Sequence, residues 1–294
     1  MNTSKKIILV PVDFSEQSHV ALHHAEVIAK TLNSSLILLH VASEQGLLSG
    51  FFTSEDGDKL HQKLWERMNS LAEETQKRTG LFVLPMIAHG KVYEETVRMA
   101  ETAGATFIVM GTNGSDSSLR KRFIGSNALR VVRESRVPVF TIKGKPGKDG
   151  FSKIILPLDL TKETREKVNK AIELSRYFKA EVKVVSILLT DDEEVVTKLK
   201  LQLGQVKHFL EKADVNCTAE LINAQGGKES LGEEVVKYAE QNGGDMIMIM
   251  TQQETNFTEL FIGSAAQEVI NNSAMPVCSI IPTVRKDTTV FVPY

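Results

Sequence analysis

The chain has little cysteine, no excess of basic charge and no long apolar run, and each shortage excludes a class of protein. Cys217 and Cys278 are its two cysteines, which is too few for a disulfide framework and indicates a reducing compartment. The net charge of −2 argues against the broad basic face that nucleic-acid binding needs. No apolar stretch reaches the ~20 residues of a membrane span, and no signal-peptide core follows the amino terminus. We therefore expect a cytoplasmic protein.

What the chain does contain is an internal repeat. Residues 10–15 read V-P-V-D-F-S and residues 156–161 read L-P-L-D-L-T, at an offset of 146 residues. F-I-G-S occurs at 123–126 and again at 261–264, at an offset of 138. V-P-V at 137 and M-P-V at 275 keep that offset of 138. The sequence therefore predicts two units of about 140 residues, the usual size of one domain.

Each half alternates short apolar runs with helical patterns, which is typical of a parallel α/β sheet. A loop at 43–58, which carries Phe51 and Phe52, is predicted to precede a helix at 59–78. Residues 143–150 contain three glycines, one proline and no apolar side chain, and they are predicted to form a linker. The predicted organisation is a first domain at 1–142, the linker at 143–150, a second domain at 151–282 and a tail at 283–294.

Three segments of the first half follow predicted strands and could form a binding site. In an open parallel sheet, ligands bind beyond the carboxyl ends of the strands, where the strand order reverses. Asp13 follows the first strand, Val41 ends the second, and G-T-N-G at 111–114 follows the fourth. A carboxylate at Asp13 could accept hydrogen bonds from a base or a ribose. Asp13 could equally belong to a helix cap, because it precedes Ser15, a residue type that is preferred at the N-cap of a helix.

The glycines of the first half favour an anion. Gly111 and Gly114 lack a Cβ atom, so their backbone N–H groups can approach a phosphate closely. Gly125 and Ser126 begin a predicted helix, whose amino terminus also favours phosphate. Each feature is common in turns and helix starts, and the combination is more specific than any one of them. Together they predict a nucleotide site, with the base or ribose near Asp13.

At these motifs the sequence resembles the universal stress proteins, in their tandem form. The resemblance extends from Lys6 to about Pro282. It is carried by I-L-V-P-V-D-F-S at 8–15, L-L-H-V at 38–41, F-I-V-M-G-T-N-G at 107–114, F-I-G-S at 123–126 and V-P-V-F-T-I at 137–142.

The resemblance implies a fold, a ligand and a set of site residues. The fold is two tandem five-stranded parallel sheets with strand order 3-2-1-4-5 (adenine nucleotide alpha-hydrolase-like), packed through their fifth strands as an internal pseudo-dimer. The ligand is ATP or AMP, with or without Mg²⁺. Ten residues separate the second and third glycines of the motif, one more than in the family pattern. The residues implied for nucleotide binding are Pro11, Val12, Asp13, Val41, Met110, Gly111, Gly114, Gly125, Ser126 and Asn127.

The two halves differ at this site. In our alignment Thr251 and Glu254 take the places of Gly111 and Gly114, and a carboxylate at Glu254 would repel phosphate. Asp159 is kept, and we expect it to be a helix cap or a structural residue. The sequence therefore predicts one nucleotide per chain, bound by the first half.

Common catalytic motifs are missing from the sequence. It contains no G-x-x-x-x-G-K-[ST], no G-x-G-x-x-G after the first strand and no G-x-S-x-G. His40 lies near the predicted site, where it could be a packed, hydrogen-bonded side chain or a proton shuttle. The basic cluster Arg120-Lys121-Arg122 could be solvated or could contact phosphate. We expect no catalysis beyond slow ATP hydrolysis.

Three functions fit these observations to different degrees. The first is a stress-response sensor or regulator that binds adenine nucleotide. The second is a tandem scaffold that has lost both sites and acts through protein partners. The third, a nucleotidyl transferase, is disfavoured because its H-x-G-H motif is absent. We expect no nucleic-acid or membrane partner, and a monomer with an internal pseudo-dimer or a homodimer of such chains.

Overall fold

A computed structural model describes residues 6–42, 54–112, 124–144, 150–159, 164–224, 226–251 and 262–281. Each half alternates strands with helices. The first half contains β1 (Ile7–Pro11), α1 (Glu16–Leu32), β2 (Ser35–Ala42), α2 (Ser54–Thr79), β3 (Val83–His89), α3 (Val92–Thr102), β4 (Phe107–Gly111), α4 (Ser126–Glu134) and β5 (Val139–Ile142). The second half contains β6 (Lys153–Pro157), α5 (Thr164–Phe178), β7 (Glu181–Leu188), α6 (Glu193–Lys212), β8 (Cys217–Asn223), α7 (Leu231–Gln241), β9 (Met246–Met250), α8 (Ser264–Asn272) and β10 (Val277–Ile280).

The strand order confirms the predicted fold. Strands of the first half lie in the order β3-β2-β1-β4-β5, and those of the second half in the equivalent order β8-β7-β6-β9-β10. All pairs within a half are parallel. β1 is apolar throughout and buried at its centre, because helices cover both faces of a parallel sheet.

The two halves join through their fifth strands, as predicted. β5 and β10 pair in antiparallel register, with Thr141 opposite Val277 and Phe140 opposite Cys278. The hydroxyl of Thr141 also donates to the carbonyl oxygen of Val277 at 3.3 Å. The result is one continuous ten-stranded sheet in which two potential edge strands satisfy each other's backbone groups.

Aromatic rings on one face of the sheet pack across this joint. Phe151, which begins the second half, stacks on Phe140 of β5 at a centroid distance of 5.8 Å. It also meets Phe178 edge to face at 4.9 Å. Phe107 of β4 lies edge to face with Phe140 at 5.2 Å and with Tyr177 at 6.5 Å. The cluster therefore ties β4 and β5 to α5 by apolar contact.

The sequence misplaced some helix starts. α2 begins at Ser54 rather than at 59, because the helix continues through Gly57 despite the low helix propensity of glycine. α7 begins at Leu231, because Ser230 forms a capping box with Glu233, whereas the sequence pattern alone predicts a start at 229. Phe51 and Phe52, most of the predicted linker and the predicted tail lie outside the described residues. The predicted domain boundaries stay predictions.

We expect Phe151→Ala to destabilise the protein by about 3 kcal/mol, because it removes a buried ring from contact with two others and leaves a cavity. Urea unfolding would measure the change. The matched control is Phe82→Ala, since the Phe82 side chain is 55% exposed and should cost less than about 1 kcal/mol. Equal losses in the two variants would contradict the proposed packing at the joint.

We expect the free energy of unfolding to decrease as the pH is lowered below about 6.5, because of His24. Burial, together with the smaller effect of the neighbouring His23, lowers the pKa of this side chain to about 4. The unfolded chain takes up a proton near pH 6.5 while the folded chain does not, so stability is full above that pH and decreases toward pH 4. By pH 5 the loss is about 2 kcal/mol. Urea unfolding of wild type and His24→Leu at pH 7 and pH 5 tests this, because the variant should lose the His24 part of the pH dependence.

Candidate functional site

The carboxyl ends of β2, β1 and β4 lie side by side at one edge of the first half. β1 pairs with β2 at five positions, from Ile7–Ser35 to Pro11–Leu39. It pairs with β4 at only two positions near its start, Ile8–Phe107 and Leu9–Ile108. The ladder between β1 and β4 therefore stops before the carboxyl ends, at the point where the strand order reverses. This is the edge of the sheet at which the sequence predicts a binding site.

Asp13 lies in the turn that joins β1 to α1, and its carboxylate is exposed. Its Oδ1 accepts hydrogen bonds from the backbone N–H of Ser15 at 3.0 Å and from the Ser15 hydroxyl at 2.5 Å. Ser15 in turn caps α1, because its side chain accepts from the N–H of Ser18 at 3.2 Å. Asp13 thus supports the helix cap and also presents a carboxylate at this edge, so the two sequence interpretations are compatible.

Phe14 has an unusual backbone conformation for a residue with a side chain, with φ at 60°. Its ring is held on two sides. The His40 imidazole lies at a centroid distance of 5.3 Å, and the Arg67 guanidinium lies 3.9 Å from the ring centroid. The Nδ1 atom of His40 is 2.7 Å from the carbonyl oxygen of Val12, so Nδ1 carries the proton. His40 is therefore hydrogen-bonded through Nδ1, and the lone pair of its Nε2 stays available, so both interpretations stay predictions.

Gly111 packs closely against the backbone of Gln17 in α1. A Cβ atom at Gly111 would lie 3.0 Å from the backbone oxygen of Gln17 and 3.1 Å from its carbonyl carbon. Glycine at this position therefore lets β4 contact the first turn of α1. The sequence interpretation, which assigned the missing Cβ to phosphate contact, did not include this packing role.

The amino terminus of α4 has no side-chain cap and no acidic residue in its first turn. Ser126 and Asn127, its first two residues, are exposed. The N–H of Gly125 is different, because it donates to the carbonyl oxygen of Thr112 at 2.7 Å. Gly125 therefore fixes the start of the helix, and the amides of the two following residues are the better donors for an anion.

The remaining predicted residues fall around this edge. Pro11 ends β1 and Val41 lies near the end of β2, both half-buried. Val12 and Met110 are 4% and 5% exposed and belong to the cores on opposite faces of the sheet. Gly114, the loop that follows it and the basic cluster at 120–122 lie outside the described residues.

Backbone hydrogen bonds correct our alignment of the two halves. The N–H of Thr112 donates to Ile142, and its carbonyl oxygen accepts from Gly125. Thr251 makes the same two bonds, to Ile280 and from Gly263. Thr251 is therefore the counterpart of Thr112. The counterpart of Gly111 is the residue before it, Met250, which is 1% exposed. Glu254 lies outside the described residues, and the same shift would place Gln253, also outside them, opposite Gly114.

In the second half, a buried lysine forms an ion pair with Asp159, the counterpart of Asp13. Lys167 of α5 is 2% exposed, and its Nζ lies 3.0 Å from Oδ1 of Asp159. The residue at the same position of α1 is Ala21, which is fully buried. Asp159 is thus engaged by the protein itself, as the structural role predicted for it implies. The sequence analysis missed Lys167, although a lysine at the position of Ala21 was visible from the 146-residue offset.

A second exchange accompanies the lysine. In the second half, Gln202 of α6 contacts the strand–helix turn, and in the first half Arg67 of α2 contacts the corresponding turn. The Gln202 amide donates to the backbone oxygen of Asp159 at 2.9 Å and to the Thr164 hydroxyl at 3.0 Å. Both halves therefore hold the strand–helix turn from this helix, but the first half does so with a cation over an aromatic ring.

Other features of the described residues do not add to this site. A cavity of about 590 Å³ lies between α5 and α6 of the second half, with Ile172, Tyr177 and Phe209 in its walls. Among the residues that the structure covers, no group of three or more His, Cys, Asp or Glu side chains is placed to hold a metal ion. Within the same part of the chain, no helix is both long and apolar enough to cross a membrane.

The sequence matches the model of the universal stress protein family twice, over residues 5–143 and 150–279. The chain belongs to the universal stress protein family. Universal stress protein MJ0577 of Methanocaldococcus jannaschii is 31% identical over 162 residues, which cover 49% of this chain and 99% of that relative. Universal stress protein G of Escherichia coli O157:H7 is 28% identical over 146 residues, which cover 47% of this chain and 99% of that relative. This chain is thus a tandem member of the family.

A solved structure shares the fold across both halves. The crystal structure of a universal stress protein from Archaeoglobus fulgidus DSM 4304 covers 94% of this chain and 96% of its own, with a TM-score of 0.72 and 18% identity. At 18% identity, that likeness supports the fold of the chain and nothing about its function.

We expect Asp159→Ala to destabilise the protein by about 3 kcal/mol, because it leaves the buried Lys167 ammonium without its carboxylate. The double variant Asp159→Ala/Lys167→Met should recover most of this loss, because it also removes the buried charge. Asp13→Ala is the matched control, since that carboxylate pairs with an exposed helix cap and should cost about 1 kcal/mol. Urea unfolding of the four proteins compares them. A double variant no more stable than Asp159→Ala would contradict the buried pair.

Proposed function

We propose that this universal stress protein binds one adenine nucleotide, ATP or AMP, in its first half and acts as a cytoplasmic sensor or regulator. The nucleotide would lie across the crevice between β1 and β4. Asp13 and the backbone near Val41 would bind the base and ribose, and the exposed first turn of α4 would bind the phosphates. Two unpaired cysteines agree with a reducing compartment.

One observation supports the proposal above the others. An exposed carboxylate and an uncapped helix terminus lie on opposite sides of the switch point of one open sheet. A nucleotide needs both, because its base and ribose offer hydrogen-bond donors while its phosphates need N–H groups and a positive dipole. Pairing of β1 with β4 stops before this edge, which leaves a crevice between the two strands.

The second half supports a single site per chain. Its α8 also lacks a side-chain cap and an acidic first turn, so the phosphate end alone would not distinguish the halves. The distinction lies at the base end, where Lys167 is paired with Asp159. A ligand that used this carboxylate would have to take it from the buried Lys167 ammonium, which is costly. Met250 also replaces Gly111 there.

The proposal assigns no catalytic step to this site. The Nδ1–H group of His40, the histidine beside Phe14, donates a hydrogen bond to the carbonyl oxygen of Val12, which leaves the lone pair on Nε2. Nε2 could act as a general base only for a water or substrate within hydrogen-bond reach, and the sequence has no common catalytic motif that would supply the other groups. We therefore propose binding, with at most slow hydrolysis, as the function of the first half.

We expect isothermal titration with ATP to give a stoichiometry of one. Asp13→Ala should abolish binding or weaken it by at least tenfold, because it removes the acceptor for the base or ribose. The control is Asp159→Ala/Lys167→Met, which changes the equivalent carboxylate of the second half and should bind like wild type. At 100 times its dissociation constant, ATP should add about 2.7 kcal/mol to the stability of the first half.

Other results would contradict this proposal. A stoichiometry of two, or weaker binding in the second-half control, would place a nucleotide in the second half. The absence of both heat and stabilisation with ATP, AMP and adenosine would favour the alternative, a scaffold that acts through protein partners.

A further inference from the structure

A side chain of the second half holds the start of α4 in the first half. Oδ1 of Asn271, in the last turn of α8, accepts a hydrogen bond at 2.8 Å from the backbone N–H of Ile124. Ile124 immediately precedes Gly125, the cap residue of α4. The contact joins residues 147 positions apart and lies one residue from the helix end proposed to bind phosphate.

Asn271 is itself fixed to the first half. The Lys143 ammonium, just after β5, donates to the backbone oxygen of Asn271. Nearby, the Gln17 amide donates to the backbone oxygen of Gly144 at 3.1 Å and so ties the first turn of α1 to the same joint. The carboxyl end of α8 is therefore connected to the chain that leaves β5 and to the chain that enters α4.

The arrangement does not repeat in the other direction. The residue of α4 that corresponds to Asn271 is Arg133, because α4 and α8 match at an offset of 138 residues with the same pattern of buried positions. An arginine side chain has donors and no acceptor, so Arg133 cannot accept from the backbone N–H of Ile262. The second half therefore supports the start of α4 by a contact that the first half cannot return to α8.

We propose that Asn271 is a positioning residue for the phosphate groups of the nucleotide, supplied by the second half to the site of the first. The inference rests on the proposed function of the first half. By holding Ile124, Asn271 fixes the direction in which the N–H groups of Ser126 and Asn127 point. Its effect falls on phosphates and not on the base, because Asp13 lies in a different turn with its own hydrogen bonds.

The test compares a triphosphate with a nucleoside. Asn271→Ala should weaken binding of ATP by about threefold to tenfold, the effect of one backbone hydrogen bond, and should leave binding of adenosine unchanged. Asn272→Ala is the matched control, because it removes the same side chain from the next residue of α8, which is exposed. It should leave the affinity for both ligands unchanged. Isothermal titration of the full chain measures each affinity.

Amide hydrogen exchange without nucleotide supplies the second measurement. The N–H of Ile124 should exchange faster in Asn271→Ala than in wild type. It should exchange slowly in Asn271→Asp, which keeps an acceptor oxygen at the same place. If wild type binds neither ATP nor adenosine, the proposed function fails, and the positioning role fails with it, while the exchange of Ile124 still tests the contact itself.

Three other results would overturn the inference. One is an unchanged affinity for ATP in Asn271→Ala. Another is a loss of affinity for adenosine as large as that for ATP, which would indicate general destabilisation of the site. The third is an equal loss in Asn272→Ala, which would assign the effect to the end of α8 rather than to the hydrogen bond with Ile124.

Discussion

The antiparallel ladder between β5 and β10 is the constraint on which the rest of the structure depends. Each half on its own would leave its fifth strand with a row of unpaired N–H and C=O groups. Pairing Phe140 with Cys278 and Thr141 with Val277 removes both edges at once and places the halves about a pseudo-two-fold axis. The ring of Phe151 then covers the joint on one face. The position of one half relative to the other follows from this pairing.

Within that common frame the two strand-end turns are held by different chemistry. In the first half, Phe14 lies between an imidazole and a guanidinium, and the exposed Asp13 carboxylate accepts hydrogen bonds from Ser15 of its own turn. In the second half, a buried ammonium is paired with Asp159. The same fold thus holds an exposed carboxylate in one copy and pairs the equivalent carboxylate with a buried lysine in the other.

Much of the fold could be predicted from the sequence, because apolar runs and helical periods are local signals. Strand order and the joint of the fifth strands came from the family resemblance and were confirmed. The site was harder to predict. Counting residues between glycines aligned Gly111 with Thr251, whereas the backbone bonds of Thr112 and Thr251 align it with Met250. Lys167 and Asn271 contact residues of other secondary-structure elements. Sequence patterns are local and do not show which distant atom a side chain contacts.

The antiparallel joint also has a consequence for how a duplicated chain can change. It places the carboxyl ends of the strands of one half beside the amino ends of the strands of the other, so the start of α4 lies against the end of α8. A substitution at the end of α8, in the second half, can therefore change the surroundings of the strand ends in the first half and leave those of the second half unchanged. In evolution, one repeat can therefore keep a binding site while the other supplies side chains that support it. A tandem gene fixes that division of labour, whereas in a dimer of identical chains each substitution would appear in both roles.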